Sequence, residues 1–229
     1  MTTVEPALAG HARRAVAEEW GRRTRAEYTS AAIAHGVTLG LLQHGAPPDL
    51  IRDGLRIVDD ELVHSELSAE VSDAAGGAPP TAIPLEDLAL PVTDDHLADL
   101  VDPVVRYFCV GETVAVPLFT MLRRNASSRD ARRALDRIGK DEPRHRQFGW
   151  DVLDWLLLVH PGSLEAATRV AAPAMADIRR AHAAGDGHAA LDPAARAWGL
   201  ADTSDYLATI DRCLREDITP RFAAREIAC

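Results

Sequence analysis

Cysteine is scarce in this chain. The 229 residues hold three, Cys109, Cys213 and Cys229, and none forms a CxxC pair. That argues against a zinc knuckle or a rubredoxin-type iron site. A sparse, odd count with no secretory leader at Met1 to Gly10 points to a reducing compartment, and a cytoplasmic location is expected. Basic clusters are missing too. The formal net charge is −10 and the arginines are scattered among acids at helical spacing, so nucleic acid is not an expected partner. The longest apolar run, around Trp155 to Val159, is far too short for a bilayer, and no membrane is expected. Strand signals, meaning Val/Ile/Thr alternation between turn residues, are nearly absent. What is left, 47% hydrophobic and 26% charged, is the composition of an ordinary globular domain.

The helical pattern is punctuated by glycine and proline. A first helix is predicted over about 10–44, ending at Gly45 before Pro47 and Pro48. A second runs over about 48–75 and stops at Gly76-Gly77, with Asp49 favourably placed in its first turn. Residues 78–93 carry Pro79, Pro80, Pro84 and Pro91 and read as a long extended connection, with a short turn near Leu85 to Leu88. A third helix over about 94–124 and a fourth over about 128–160 follow, closed by Pro161-Gly162. Helix, short turn, helix, long crossover, helix, short turn, helix is the ferritin-like four-helix bundle with one long crossover. The fold class is all-α and the chain reads as one domain. Its core bundle is about 10–160, and an extension over about 163–229 supplies two or three more helices, with breaks at Gly185 to Gly187 and at Gly199.

Two motifs carry chemistry: Asp60-Glu61-Leu62-Val63-His64 and Asp141-Glu142-Pro143-Arg144-His145, both D-E-x-x-H. Glu and His three apart share one helix face, so both reach the same metal. With 13 Glu and 9 His, about half an E-x-x-H is expected by chance. Here there are two, and they contain the only Asp-Glu dipeptides in the chain. Each has a lone glutamate on the preceding helix. Glu27 precedes Asp60 by 32 intervening residues and Glu112 precedes Asp141 by 28. Counted from the turns near Ala46 and Ala126, the glutamates of each antiparallel pair meet within about one turn. The candidate ligands are therefore Glu27, Glu61, His64, Glu112, Glu142 and His145, four Glu and two His for a dinuclear carboxylate site. Four buried carboxylates without a cation would repel and carry a heavy desolvation cost. Carboxylate and imidazole suit iron or manganese rather than a soft metal.

E-x28-D-E-x-R-H resembles the signature of the ferritin-like diiron-carboxylate oxygenases and oxidases. That group includes acyl-carrier desaturases, multicomponent monooxygenase hydroxylases, ribonucleotide reductase small subunits and aldehyde-deformylating oxygenases. Glu112, Asp141, Glu142, Arg144 and His145 match in full. Glu27, Asp60, Glu61 and His64 match with Val63 where Arg is often found. The resemblance spans roughly Arg13 to His160. It implies two Fe ions, with Mn or a mixed Mn/Fe pair as variants, and O2 as co-substrate. It also implies bridging by Glu61 and Glu142, terminal ligation by Glu27 and Glu112, and one metal for each of His64 and His145. Asp60 and Asp141 are expected behind the ligands, Asp60 serving His145 and Asp141 serving His64. Arg144 is expected either to pair with a nearby acid or to be an exposed arginine. Pro143, inside the fourth helix, predicts a kink or π-bulge, and Pro117 a bend in the third.

Helical spacing predicts Phe108, Cys109, Val116, Phe119, Ala31 and Ile57 as inward neighbours, lining either a substrate pocket or plain core. Tyr28 and Tyr107 should face away from the site. The seven histidines outside the motifs receive no role. The expected function is oxidation of a small organic substrate: hydroxylation, desaturation, N-oxygenation or cleavage. Electrons would come from an external donor, since no flavin or nicotinamide motif is present, and a homodimer is compatible with the sequence. Length and ligand set are similar to those of aldehyde-deformylating oxygenases. An iron- or peroxide-handling ferritin-like protein is the alternative. Against it, rubrerythrins usually carry a CxxC-bound iron and ferritin centres usually one E-x-x-H. A non-catalytic interaction bundle is a third reading.

Overall fold

A computed structural model of the chain describes residues 8–183 and 191–229, and every regular element among them is helical. Helix α1 (Gly10–Gln43) ends at Gly45, whose φ of +72° suits a residue without a Cβ. Helix α2 (Pro48–Ala74) opens with Pro48 in its first turn, where the missing N–H costs nothing. It closes at Gly76, φ +81°, with the Gly77 amide donating to the Ser72 carbonyl at 2.8 Å. The two form a long antiparallel hairpin. The proline-rich connection that follows holds one short 3₁₀ turn, Leu85–Asp87.

The third rod is continuous over His96–Asn125. It comprises α3 (His96–Pro103), a π-helical stretch Val104–Glu112, and α4 (Thr113–Asn125). The Asp95 side chain caps it, accepting from the Ala98 amide at 3.0 Å. Helix α5 (Arg129–Val159) is capped by Ser128, which accepts from the Ala131 amide, and packs back along the π stretch and α4. It stays α-helical through Pro143, without the π-bulge that was one of the two expectations there, and a π stretch lies on the neighbouring rod, ending at Glu112. A π turn is wider than an α turn and pushes backbone outward. Gly149 of α5 makes room for it: a Cβ on Gly149 would lie 2.7 Å from the Phe108 carbonyl carbon. The Cys109 thiol donates to the Gly149 carbonyl at 3.3 Å across the same contact.

Helix α2 packs on α5 and joins the two hairpins. Helix α6 (Ser163–Ala183) lies on α3 and the π stretch. After α7 (Pro193–Ala197) the chain breaks at Gly199, φ +81°. It continues as α8 (Thr203–Cys213), a second π stretch Leu214–Ile218, and α9 (Thr219–Ala223). The break expected at Gly185 to Gly187 falls outside the described residues. The rod His96–Asn125 has an 18-residue window of mean hydropathy 1.3, apolar and long enough to cross a bilayer by composition. Part of that window, 44%, is buried, and the rod packs against α5 and α6.

Apolar side chains gather in two clusters. One holds Val37, Ile57, Phe108, Phe148 and Leu153; the other holds Val16, Trp20, Val71, Leu135 and Trp198. On α1, α2 and α5 a polar layer separates them, and this layer contains the candidate ligands.

Candidate metal centre

The six residues come together. Three overlapping groups, Glu61/His64/His145, Glu27/His64/Glu142 and Glu112/Glu142/His145, each place one ligand atom per residue within 4.8 Å of the others. Glu27, Glu61, His64, Glu142 and His145 are buried, and both imidazoles are 0% exposed. Glu112 is partly exposed and is the one edge of the site nearer the surface. The E-x-x-H spacing acts as expected for a helix: α2 presents Glu61 and His64 on one face, and α5 presents Glu142 and His145 facing them.

The arrangement has approximate two-fold character. The imidazoles lie 5.6 Å apart between ring centres. His64 Nδ1 is 3.7 Å from Glu61 and 3.8 Å from Glu142, and His145 Nδ1 is 3.0 Å from Glu61 and 3.8 Å from Glu142. The other nitrogens point outward to the opposite motif: His64 Nε2 to Asp141 at 3.2 Å, and His145 Nε2 to Asp60 at 3.3 Å. A carboxylate at Nε2 favours the proton there, so that in the neutral ring the Nδ1 lone pair is aimed inward. Arg137 ties the two aspartates together, donating to Asp60 at 2.9 Å and to Asp141 at 2.5 Å. Arg144 also pairs with Asp60 and lies 3.6 Å from Asp141. Sequence reading missed Arg137. Its signal was i−4 spacing to Asp141, which is common among surface ion pairs.

The electrostatics are those of an anionic pocket short of cations. Burial pushes Glu61 upward, yet hydrogen bonds and charge from His145 and His64 outweigh it and hold the group at about 2. Burial, with Glu61 beside them, raises Glu27 well above the ordinary carboxylate value and raises Glu112 also. Burial and the neighbouring Glu112 raise Glu142 well above it. Burial works against a charged His145, but Glu61 and Glu112 carry it up to about 9. For Asp141, the Arg137 and His64 contacts overcome burial and lower the group. Two imidazoles cannot balance four glutamates, so in the metal-free chain protons must do so.

Four buried atoms at the centre make no well-aligned hydrogen bond: Glu61 Oε2, Glu142 Oε2, His64 Nδ1 and His145 Nδ1, the last lying 3.0 Å from Glu61 Oε1. Orphaned polar atoms in a folded interior are uncommon and costly. These converge from two helices and are all competent metal donors. Four carboxylates also match the charge of two divalent ions. The residues therefore fit a dinuclear site of hard or borderline cations.

The remaining sequence candidates are placed differently. Ile57, Phe108 and Cys109 sit in the main apolar cluster, with Phe108 edge-on to Phe148 at 5.2 Å. Ala31 is buried and Val116 partly buried. Phe119 alone among the six borders the cavity between α1, α4, α6 and α8. Tyr28 and Tyr107 are exposed. The chain matches no protein-family model, no curated protein and no solved structure.

Proposed function

We propose that this protein is a ferritin-like dimetal-carboxylate enzyme that uses O2 to oxidise a small organic substrate. The observation that carries the reading is the convergence of four donor atoms without a well-aligned hydrogen bond, Nδ1 of His64 and His145 and Oε2 of Glu61 and Glu142, in a buried layer. Glu61 and Glu142 lie between the imidazoles and are suited to bridge. Glu27 and Glu112 would hold the metal ions from the other two helices. The chemistry a ferrous pair supplies when bound is activation of O2 toward a C–H, N–H or aldehyde bond.

The chain's own residues do the rest. Asp60 and Asp141 hold protons on the two Nε2 atoms and fix ring orientation. Arg137 and Arg144 pair with Asp60, and Arg137 also pairs with Asp141 and helps to lower it. The two apolar clusters keep bulk water from the layer between them. Electrons are drawn from an external donor.

The test is anaerobic loading of the metal-free chain with ferrous iron, followed by O2 in stopped flow. Two irons per chain, and an absorbance transient whose decay is accelerated by one member of a substrate library, are expected. Rapid oxidation to a mineral core would sink the oxygenase reading in favour of iron handling. No iron uptake would sink the metal centre altogether.

A further inference from the structure

We infer that the cavity between α1, α4, α6 and α8 binds a small carboxylic acid with an apolar body, anchored by Arg23. The cavity measures about 240 Å³. That is room for about eight waters, or a ligand of roughly ten non-hydrogen atoms. Its walls include Val114, Leu118 and Phe119 from α4 and Ile178 from α6. Its floor approaches the metal layer from two sides. Ala26 and Gly111 border it, and Glu27 and Glu112 are the next residues along their helices.

Glu19, Arg22, Arg23, His182 and Tyr206 also line the cavity, and Arg23 is the buried one among them. The residue is 7% exposed. Its Nε donates to Glu19 at 3.0 Å, and one terminal nitrogen donates to the Gly199 carbonyl at 2.9 Å and to the Tyr206 hydroxyl at 3.1 Å. The other terminal nitrogen, Nη1, is buried with no partner. An unmatched guanidinium N–H in an apolar wall favours an anionic oxygen, because the penalty it already bears is relieved by one charge-assisted bond. Tyr206 accepts from Arg23, which leaves the hydroxyl proton to give. Arg22 and Arg23 both pair with Glu19, and the buried Glu27 one turn along α1 also feels the Arg23 charge. A guanidinium N–H and a phenol O–H at the edge of an apolar cavity are a recognition pair for a carboxylate. Arg23 lies about one turn, roughly 6 Å, before Glu27 on α1, so a bound acid is held beside the metal layer.

Naming this acid as substrate rests on the dimetal reading; its binding does not. The experiment is calorimetric titration of octanoate into the metal-free full-length chain, with 1-octanol as the uncharged control and iron uptake measured separately. Octanoate should bind at least about tenfold more tightly than octanol. Arg23→Gln and Tyr206→Phe should each weaken octanoate about tenfold, and Ala115→Leu, which fills the cavity, should abolish binding. Arg23 also holds the Gly199 carbonyl; if Arg23→Gln fails to fold, Tyr206→Phe and Ala115→Leu decide. No octanoate binding, equal binding of octanol, or unchanged binding in Ala115→Leu overturns the proposal. Octanoate bound by a chain that takes up no iron supports the pocket and removes the metal centre. Iron uptake without octanoate binding does the reverse.

Discussion

Four glutamates and two histidines meet in the polar layer, and their imbalance decides where protons reside. Glu27 and Glu142 titrate well above 4.5 when folded, so the folded chain binds more protons than the unfolded one over that interval, and stability falls as pH rises. His145 acts in the same direction: its contribution is full below 6.5 and is lost as pH rises through about 9. Glu61 acts oppositely, but only in acid, its contribution lost as pH falls from 4.5 toward about 2. The metal-free melting temperature should therefore decline from about pH 5 to about pH 9. Glu27→Gln should flatten that slope and raise the metal-free melting temperature at the alkaline end. A melting temperature that rises with pH would contradict these assignments. Metal binding should release protons, measurable by titration in buffers of different ionisation enthalpy. Glu142→Ala should take bound iron well below two per chain, and full retention would refute its role. Asp60→Ala should leave the six ligands in place but weaken metal binding by about 10- to 100-fold, read by competition with a chelating dye.

At the scale of elements, local sequence signals placed the helices to within a residue or two. Gly45 with Pro47, and Gly76 with Gly77, stop helices through φ angles and missing N–H groups that need no tertiary partner. The D-E-x-x-H face was legible for the same reason: a three-residue interval fixes a shared face wherever the helix lies. Pro143 was less informative. The π stretch is on the rod that carries Glu112, against Gly149 of α5, and that is a matter of how two helices fit rather than of either sequence alone. Gly149→Ala should cost about 1–3 kcal/mol in chemical denaturation, because its methyl group meets backbone that cannot turn aside. Neutral behaviour would mean the π stretch yields easily.

At the scale of the whole molecule, the polar layer separates the two apolar clusters on α1, α2 and α5, while Met121 and Tyr206 touch both, and the cation that fits the layer would bind the native state only. Manganese or ferrous ion should stabilise the fold by mass action, by about 2.7 kcal/mol at a hundredfold excess over Kd, and so raise the melting temperature with concentration. An unchanged melting temperature would favour a metal-free interaction bundle. The thiols give an independent check on packing. Cys109 and Cys213 are buried and Cys229 is exposed, and burial raises the Cys213 thiol to about 11. A thiol reagent should therefore modify a single cysteine per native chain and all three after unfolding.

The sequence by itself determined the all-helical class, the two hairpins and the depth at which Glu27, Glu61, His64, Glu112, Glu142 and His145 stand, because periodicity, capping and turn chemistry act over a few residues. Only the tertiary structure decided what surrounds them. Arg137 reaches Asp60 from 77 residues away, and Arg23 reaches Tyr206 from 183. Neither contact, nor the wider turn at Glu112 against Gly149, nor the cavity beside α6 and α8, leaves a local trace. Each depends on which helix faces packing brings together.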